Sequence, residues 1–235
     1  MFKKIVQSIP NSITCLNLLS GCLATIMAFH AYDTCCGLAG WQWTCIFIGA
    51  AAVFDFLDGA MARLLKAYSK IGAELDSLAD LVSFGVAPAF MMFNIMMAKF
   101  PADVQWVSYL ALAGPVFGAL RLARFNVMDV GDTTFHGLPI PSNAIFLIGL
   151  AGFVNDYGMV NPIVMALLIL LSAIAMVGRF SMFSLKFKNF NLQANFRRYV
   201  ILMVAVVFVV MYGLAGFAWT IILYFLLSVL SRRKV

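Results

Sequence analysis

Long apolar runs decide what this chain can fold into. Eight are read along its 235 residues, at about 10–30, 40–66, 73–98, 105–127, 140–156, 160–178, 197–212 and 214–231. A helix rises about 1.5 Å per residue, so about 20 apolar residues cross the roughly 30 Å of hydrocarbon in a bilayer. The fifth and seventh runs are short for a span, and only "YGLAG" separates the last two. With 63% hydrophobic and 11% charged residues, the composition excludes an ordinary water-soluble domain. The expectation is an all-α, polytopic transmembrane bundle of about eight spans. No repeat, low-complexity tract or soluble-length linker divides it, so residues 1–235 read as a single membrane domain.

Charge sets the orientation. An even number of spans puts both termini on one side, together with the loops near 67–72, 128–139 and 179–196. That side carries Lys3, Lys4, Arg63, Lys66, Lys70, Arg121, Arg124, Arg179, Lys186, Lys188, Arg197, Arg198, Arg232, Arg233 and Lys234, and the other side only Lys99. Basic residues accumulate on the cytoplasmic side of membrane proteins, so both termini are expected in the cytoplasm. The net charge of +6 then reflects topology and contact with anionic headgroups, with no nucleic-acid partner implied.

Lys3 and Lys4 before an apolar stretch resemble the start of a signal peptide. Asn11, Thr14 and Asn17 interrupt that stretch and no small-x-small cleavage site follows, so a retained first helix is expected, with "MFKKIVQS" as a short amphipathic turn at the interface. Cys15, Cys22 and Cys45 fall within spans and read as small apolar packing residues. Cys35 and Cys36 fall in an outer loop, where adjacency is poor geometry for a disulfide. The cysteine spacing does not suggest zinc. His30 reads as an interfacial residue and His136 as a loop residue.

The chemistry is expected in the stretch "DFLDGAMARLLKAYSKIGAELDSLAD", residues 55–80. Asp33, Asp103 and Asp156 are outer-loop carboxylates, and Asp129 and Asp132 lie in an inner loop. The other five acidic residues, Asp55, Asp58, Glu74, Asp76 and Asp80, all sit at or just inside span ends, where a carboxylate is costly unless paired, hydrated or bound to a cation. Asp55 and Asp58 share a face at i, i+3, as do Asp76 and Asp80 at i, i+4. A short connection makes their helices antiparallel neighbours, so the four converge. Four like charges with one nearby arginine, Arg63, call for a divalent cation, two by preference, held by oxygen as Mg²⁺, Mn²⁺ or Ca²⁺ prefer. Gly59, Ala62, Gly72 and Ala73 leave room beside them, and metals with an arginine suit a phosphate or diphosphate. Interfacial snorkelling accounts for Lys66, Lys70 and Glu74. An ion-coupled transporter is the competing use of such carboxylates, but all of these fall on one side, without a route across.

These residues resemble a known signature. D-x2-D-G-x2-A-R-x8-G-x3-D-x3-D is that of the CDP-alcohol phosphatidyltransferases, and Asp55, Asp58, Gly59, Ala62, Arg63, Gly72, Asp76 and Asp80 meet it at every position. The resemblance implies a membrane enzyme that displaces CMP from a CDP-linked lipid with an alcohol. It implies that Asp55, Asp58 and Asp76 hold one divalent ion, that Asp55, Asp76 and Asp80 help hold a second, and that Asp80 is the general base. It also implies that Gly59 and Arg63 border the diphosphate, with Mg²⁺ or Mn²⁺ as cofactor and a homodimer as the assembly.

Three further stretches, "IPNSITCLNLLSG" (9–21), "RLARFNV" (121–127) and "GLPIPSNA" (137–144), resemble the CDP-diacylglycerol–serine phosphatidyltransferases of prokaryotic membranes. The implied substrates are CDP-diacylglycerol and L-serine, with glycerol 3-phosphate or inositol phosphate as alternative acceptors. Asn11, Thr14 and Asn17 share a helical face, suited either to the nucleotide or to packing between helices. Ser83, one turn beyond Asp80, reads as a cleft residue or a packing residue. Arg121 and Arg124 suit an anionic acceptor or positive-inside anchoring. Pro139 and Pro141 stiffen the inner loop.

Overall fold

In the computed structural model the described residues are 2–127, 137–158, 161–178 and 192–230. The inner-loop residues Asp129, Asp132, His136, Arg179, Lys186 and Lys188 lie outside them, as do the C-terminal Arg232, Arg233 and Lys234 and the side chains of Lys3, Lys4, Arg197 and Arg198.

Each apolar run is helical among the described residues. α1 spans Phe2–Phe29 and α2 Gly40–Leu64; α3 (Lys70–Asp80), a π-helical turn (Leu81–Val86) and α4 (Ala87–Lys99) form one continuous segment. A 3-10 stretch (Gln105–Leu112) leads into α5 (Ala113–Val127), followed by α6 (Ile140–Asp156), α7 (Pro162–Val177), α8 (Leu192–Tyr212) and α9 (Gly216–Leu230). The segment before Pro10 belongs to α1 and forms no separate turn.

Among the described residues, five segments are long and apolar enough to cross a membrane: Ser8–Phe29, Gly40–Leu64, Lys70–Lys99, Gln105–Val127 and Tyr199–Ser228. At 17 and 16 residues, α6 and α7 are shorter, about 25 Å of helix each. The last long segment is not one rod. Gly213 adopts φ +58°, and a Cβ on Gly216 would stand 2.6 Å from the backbone nitrogen of Val209. Those residues would be about 10 Å apart in a straight helix, so α8 and α9 fold back on one another where the sequence showed only the weak break "YGLAG".

Proline positions explain the irregular windings. Pro88 has no N–H for the Phe84 carbonyl, and its ring would crowd that oxygen in an α-helix; the chain widens just before it, with Ala87 N–H bonding to the Val82 carbonyl. Pro115 follows the 3-10 stretch, where it likewise has nothing to donate to Ala111.

α1 and α2 form an antiparallel pair joined by a small hairpin, in which Thr34 pairs with Ala39 and Cys35 with Leu38. Cys36 (φ +51°) and Gly37 (φ +82°) fill its two-residue turn, the left-handed geometry that matches strand twist in tight hairpins. The two Sγ atoms stand 3.9 Å apart as free thiols. His30 meets Asp33 at 2.7 Å, and Lys99 at the end of α4 lies 5.6 Å from the Tyr32 ring centre. Cys15 and Cys22 are exposed on α1 and so pack against no other helix of this chain, contrary to their reading as packing residues; Cys45 is half-buried.

The core centres on α6, with Ala144, Leu147, Ala151 and Val154 buried against α4 and its neighbours. Gly149 and Gly152 let α9 and the 3-10 turn before it (Gly213–Ala215) approach, since a Cβ at Gly152 would lie 2.9 Å from the Ala215 nitrogen. Close backbone approach through small residues is how apolar helices gain packing without a solvent-driven force.

Candidate active site

One end of the bundle gathers the start of α1, the end of α2, the start of α3 and the end of α5. α2 closes with a left-handed Lys66 (φ +50°) and a bond from Ala67 N–H to the Ala62 carbonyl at 2.9 Å, the usual way a helix satisfies its last carbonyls. Ser69 then caps α3, accepting the Gly72 N–H at 2.9 Å. The tight link returns α3 beside α2, which is why two separate pairs of aspartates meet.

Asp55, Asp76 and Asp80 each offer a carboxylate oxygen, all within 4.8 Å of one another. Asp58 is outside this group, one turn further along α2 and 6% exposed. Oδ2 of Asp58 and Oδ1 of Asp76 are buried without a hydrogen-bond partner. Clustered carboxylates and orphaned oxygens, with no histidine or cysteine among them, fit a hard divalent cation better than zinc. The group could hold a metal.

Beside the carboxylates lies a cavity of ≈ 230 Å³, whose lining includes Asn11, Thr14, Asp58, Gly59, Ala62, Gly72 and Asp76. Its two glycines are there for different reasons. A Cβ on Gly59 would meet nothing within 4 Å and would project into open space, whereas one on Gly72 would lie 2.9 Å from Asn11 Oδ1. Arg63 is exposed on the last turn of α2, four residues beyond Gly59. A larger hollow of ≈ 380 Å³ between α6, α7 and α9 is apolar apart from Ser172 and offers no group for phosphoryl chemistry.

Of the two placements the sequence left open for Asn17 and Ser83, cleft or packing between helices, the structure shows packing. Both are fully buried, and neither lines the cavity. Asn17 Nδ2 donates to Asp80 Oδ1 at 3.3 Å, and Ser83 Oγ stands 2.8 Å from Asn17 Oδ1. The arginines also part company. Arg121 is half-buried, close enough to Asp80 for their charges to interact, with a buried Nε that has no partner. Arg124 is exposed and donates to the Val177 carbonyl at 3.4 Å, at the end of α7. Leu138 N–H reaches the Ala175 carbonyl at 2.9 Å, so the Pro139–Pro141 stretch docks on that same helix end.

Sequence reasoning missed one connection. Asn126 Nδ2 stands 3.2 Å from Glu74 Oε2 and 3.1 Å from Ser77 Oγ, clasping α5 to α3. Glu74 is therefore tied across the helix pair and is more than a snorkelling charge. Its partner is a neutral amide 52 residues away, invisible to charge patterning.

A sequence model of the CDP-alcohol phosphatidyltransferase family matches residues 7–177. The chain belongs to this family. The match takes in every helix that carries the phosphatidyltransferase signature and ends with α7. Among curated relatives, the CDP-diacylglycerol–serine O-phosphatidyltransferase of Methanocaldococcus jannaschii is 37% identical over 169 residues, 72% of each chain. The protein of that name from Bacillus subtilis is 35% identical over 161 residues, covering 68% of this chain and 80% of the relative. That of Mycobacterium bovis is 38% identical over 161 residues, 65% of this chain and 52% of the relative, so the chain spans about half the length of this mycobacterial phosphatidyltransferase.

Proposed function

We propose that this protein transfers the phosphatidyl group of CDP-diacylglycerol to the hydroxyl of L-serine, giving phosphatidylserine and CMP. The observation that carries the reading is the meeting of Asp55, Asp76 and Asp80 within 4.8 Å, beside a cavity bordered by Gly59 and Gly72. The shared name of the relatives supports serine as acceptor.

Asp55, Asp58, Asp76 and Asp80 would hold the divalent cations, two in number and Mg²⁺ or Mn²⁺ in kind. Cations held there would supply charge neutralisation for the diphosphate, which is most of what phosphoryl transfer requires. The open side of Gly59 admits the diphosphate to the α2 backbone, with Arg63 above it. Asn11 and Thr14 wall the nucleotide side, beside Ala62 and Gly72. Asp80 takes the proton of the serine hydroxyl as the new O–P bond forms on the lipid-bearing phosphorus and the bond to CMP breaks. Arg121, with its buried and unpartnered Nε, takes the serine carboxylate, while Arg124 turns to the Val177 carbonyl and adds little.

The active end faces the cytoplasm of a prokaryotic plasma membrane, with both termini on that side. Arg63, Lys66, Lys70, Arg121 and Arg124 lie at the ends of helices that form the site, and Lys99 ends α4 at the opposite pole, in keeping with the positive-inside bias. A homodimer is the assembly.

Purified protein in detergent, given CDP-diacylglycerol and one acceptor at a time, tests the reading. CMP release with L-serine is expected. Release with glycerol 3-phosphate or inositol phosphate and none with serine would move the protein to another acceptor. No CMP release with any of them would favour a transport role for the carboxylates.

A further inference from the structure

Asp80 is held from the neighbouring helix α1. The carboxamide of Asn17 on α1 reaches it at 3.3 Å, and that carboxamide is itself held from behind. Ser83 Oγ lies 2.8 Å from Asn17 Oδ1 and 3.0 Å from the Asn17 carbonyl oxygen. Asn17 and Ser83 are both 0% exposed, so water does not compete for these bonds. The two ends of an asparagine amide have nearly the same shape and differ only in hydrogen bonding. Turned over, the amide would set an oxygen against the Asp80 carboxylate. The carboxylate at Nδ2, which can only accept, fixes the orientation, and the Ser83 hydroxyl then donates to Oδ1 at the other end.

Two backbone features bring the hydroxyl there. The π-helical turn Leu81–Val86 begins directly after Asp80, and its wider winding changes the face on which Ser83 is presented. On the opposing helix, Gly21 lies one turn from Asn17, and a Cβ there would come within 2.8 Å of Ser83 Cα and 2.9 Å of Ser83 N. α1 and the π turn therefore touch backbone to backbone, at the level where Asn17 meets Asp80.

We propose that Ser83 is a positioning residue for the transfer reaction: through Asn17 it fixes the Asp80 carboxylate toward the acceptor hydroxyl, without touching either substrate. This rests on the reading of Asp80 as the proton acceptor. A buried amide oxygen that loses its donor is costly, and here that cost appears as lost alignment of Asp80.

The test is a double-mutant cycle on the full-length protein in detergent, with Ser83→Ala, Asn17→Ala and the double variant, varying CDP-diacylglycerol and L-serine in turn. Ser83→Ala is expected to lower kcat about tenfold, with both KM values within about twofold of wild type. In the Asn17→Ala background the same change is expected to lower kcat by less than about twofold, because residues acting through one another are not additive. A merely structural role would give the full loss in both backgrounds, and that result overturns the proposal; so does wild-type kcat in Ser83→Ala. Ser83→Cys, which keeps the volume and a weak donor, is expected to fall between serine and alanine, and a loss equal to that of alanine overturns the proposal. Asp80→Asn in the same assay separates the two readings. Wild-type turnover there removes Asp80 as base, whereas an inactive Asp80→Asn beside a fully active Ser83→Ala removes only the positioning role.

Discussion

Asn11 on α1 occupies the space that a side chain at Gly72 on α3 would fill: a Cβ there would stand 2.9 Å from Asn11 Oδ1. The two residues, 61 apart in sequence, lie on opposing helices and line one cavity. Gly59, on the third helix of that cavity, has open space in front of it.

The contrast makes a paired prediction. Gly72→Ala displaces Asn11 and is expected to raise KM for CDP-diacylglycerol about tenfold and to lower the thermal midpoint, as overpacking does. Gly59→Ala fills empty space, so its midpoint stays at the wild-type value while KM for the same substrate rises. Steady-state kinetics and thermal scans in detergent check both. An unchanged KM in Gly59→Ala would show that the cavity does not hold the CDP-lipid.

Asp80→Asn keeps the shape of the side chain and removes its capacity to take a proton. Binding of CDP-diacylglycerol is expected to persist while kcat falls by about a hundredfold or more, the usual size of a general-base contribution. Single-turnover CMP release and equilibrium binding distinguish the two effects. Loss of binding with turnover intact at saturation would assign Asp80 to substrate affinity instead.

Chelation is expected to abolish activity, and Mg²⁺ or Mn²⁺ to restore it. Because a ligand that binds only the folded protein stabilises it, cation at about 100 times its Kd adds about 2.7 kcal/mol and raises the thermal midpoint of the substrate-free protein. Asp76→Asn, which alters one of the three converging carboxylates, is expected to shrink that shift. A midpoint indifferent to both cations would argue against a metal site.

The two arginines are expected to separate. Arg121→Ala removes a half-buried charge and should raise KM for serine about tenfold to a hundredfold, the cost of a charge-assisted hydrogen bond, with KM for CDP-diacylglycerol nearly unchanged. Arg124→Ala loses an exposed contact of 3.4 Å to the Val177 carbonyl and should leave serine KM within about twofold. Equal effects on serine KM from both variants would place the acceptor carboxylate between them.

The helices and the acidic site were largely legible in the sequence. Apolar run length marks helix positions without reference to neighbours, and Asp55, Asp58, Asp76 and Asp80 repeat at helical spacing across a short link, so the meeting of Asp55 with Asp76 and Asp80 follows from two local facts, while the place of Asp58 outside that group does not. Some details left a local trace that was not used: Pro88 and Pro115 signal the π turn and the 3-10 stretch, because an imide nitrogen cannot donate to a carbonyl one turn back. Others left none. Periodicity grouped Asn17 with Asn11 and Thr14, yet Asn17 faces Asp80 from a buried position while the other two line the cavity.

What the sequence determined by itself is what local chemistry and spacing determine: an apolar helical chain, a basic pole, and a set of oxygen ligands suited to a divalent cation and a diphosphate. What only the tertiary structure decided is which side chains meet across helices: Ser83 behind Asn17, Asn17 on Asp80, Asn126 on Glu74, and Arg124 on the end of α7 while Arg121 is half-buried. Those pairings depend on the relative rotation and depth of packed helices, set by close backbone contacts such as that of Gly21 with Ser83. A periodic sequence pattern says which face a residue occupies, but not what stands opposite it.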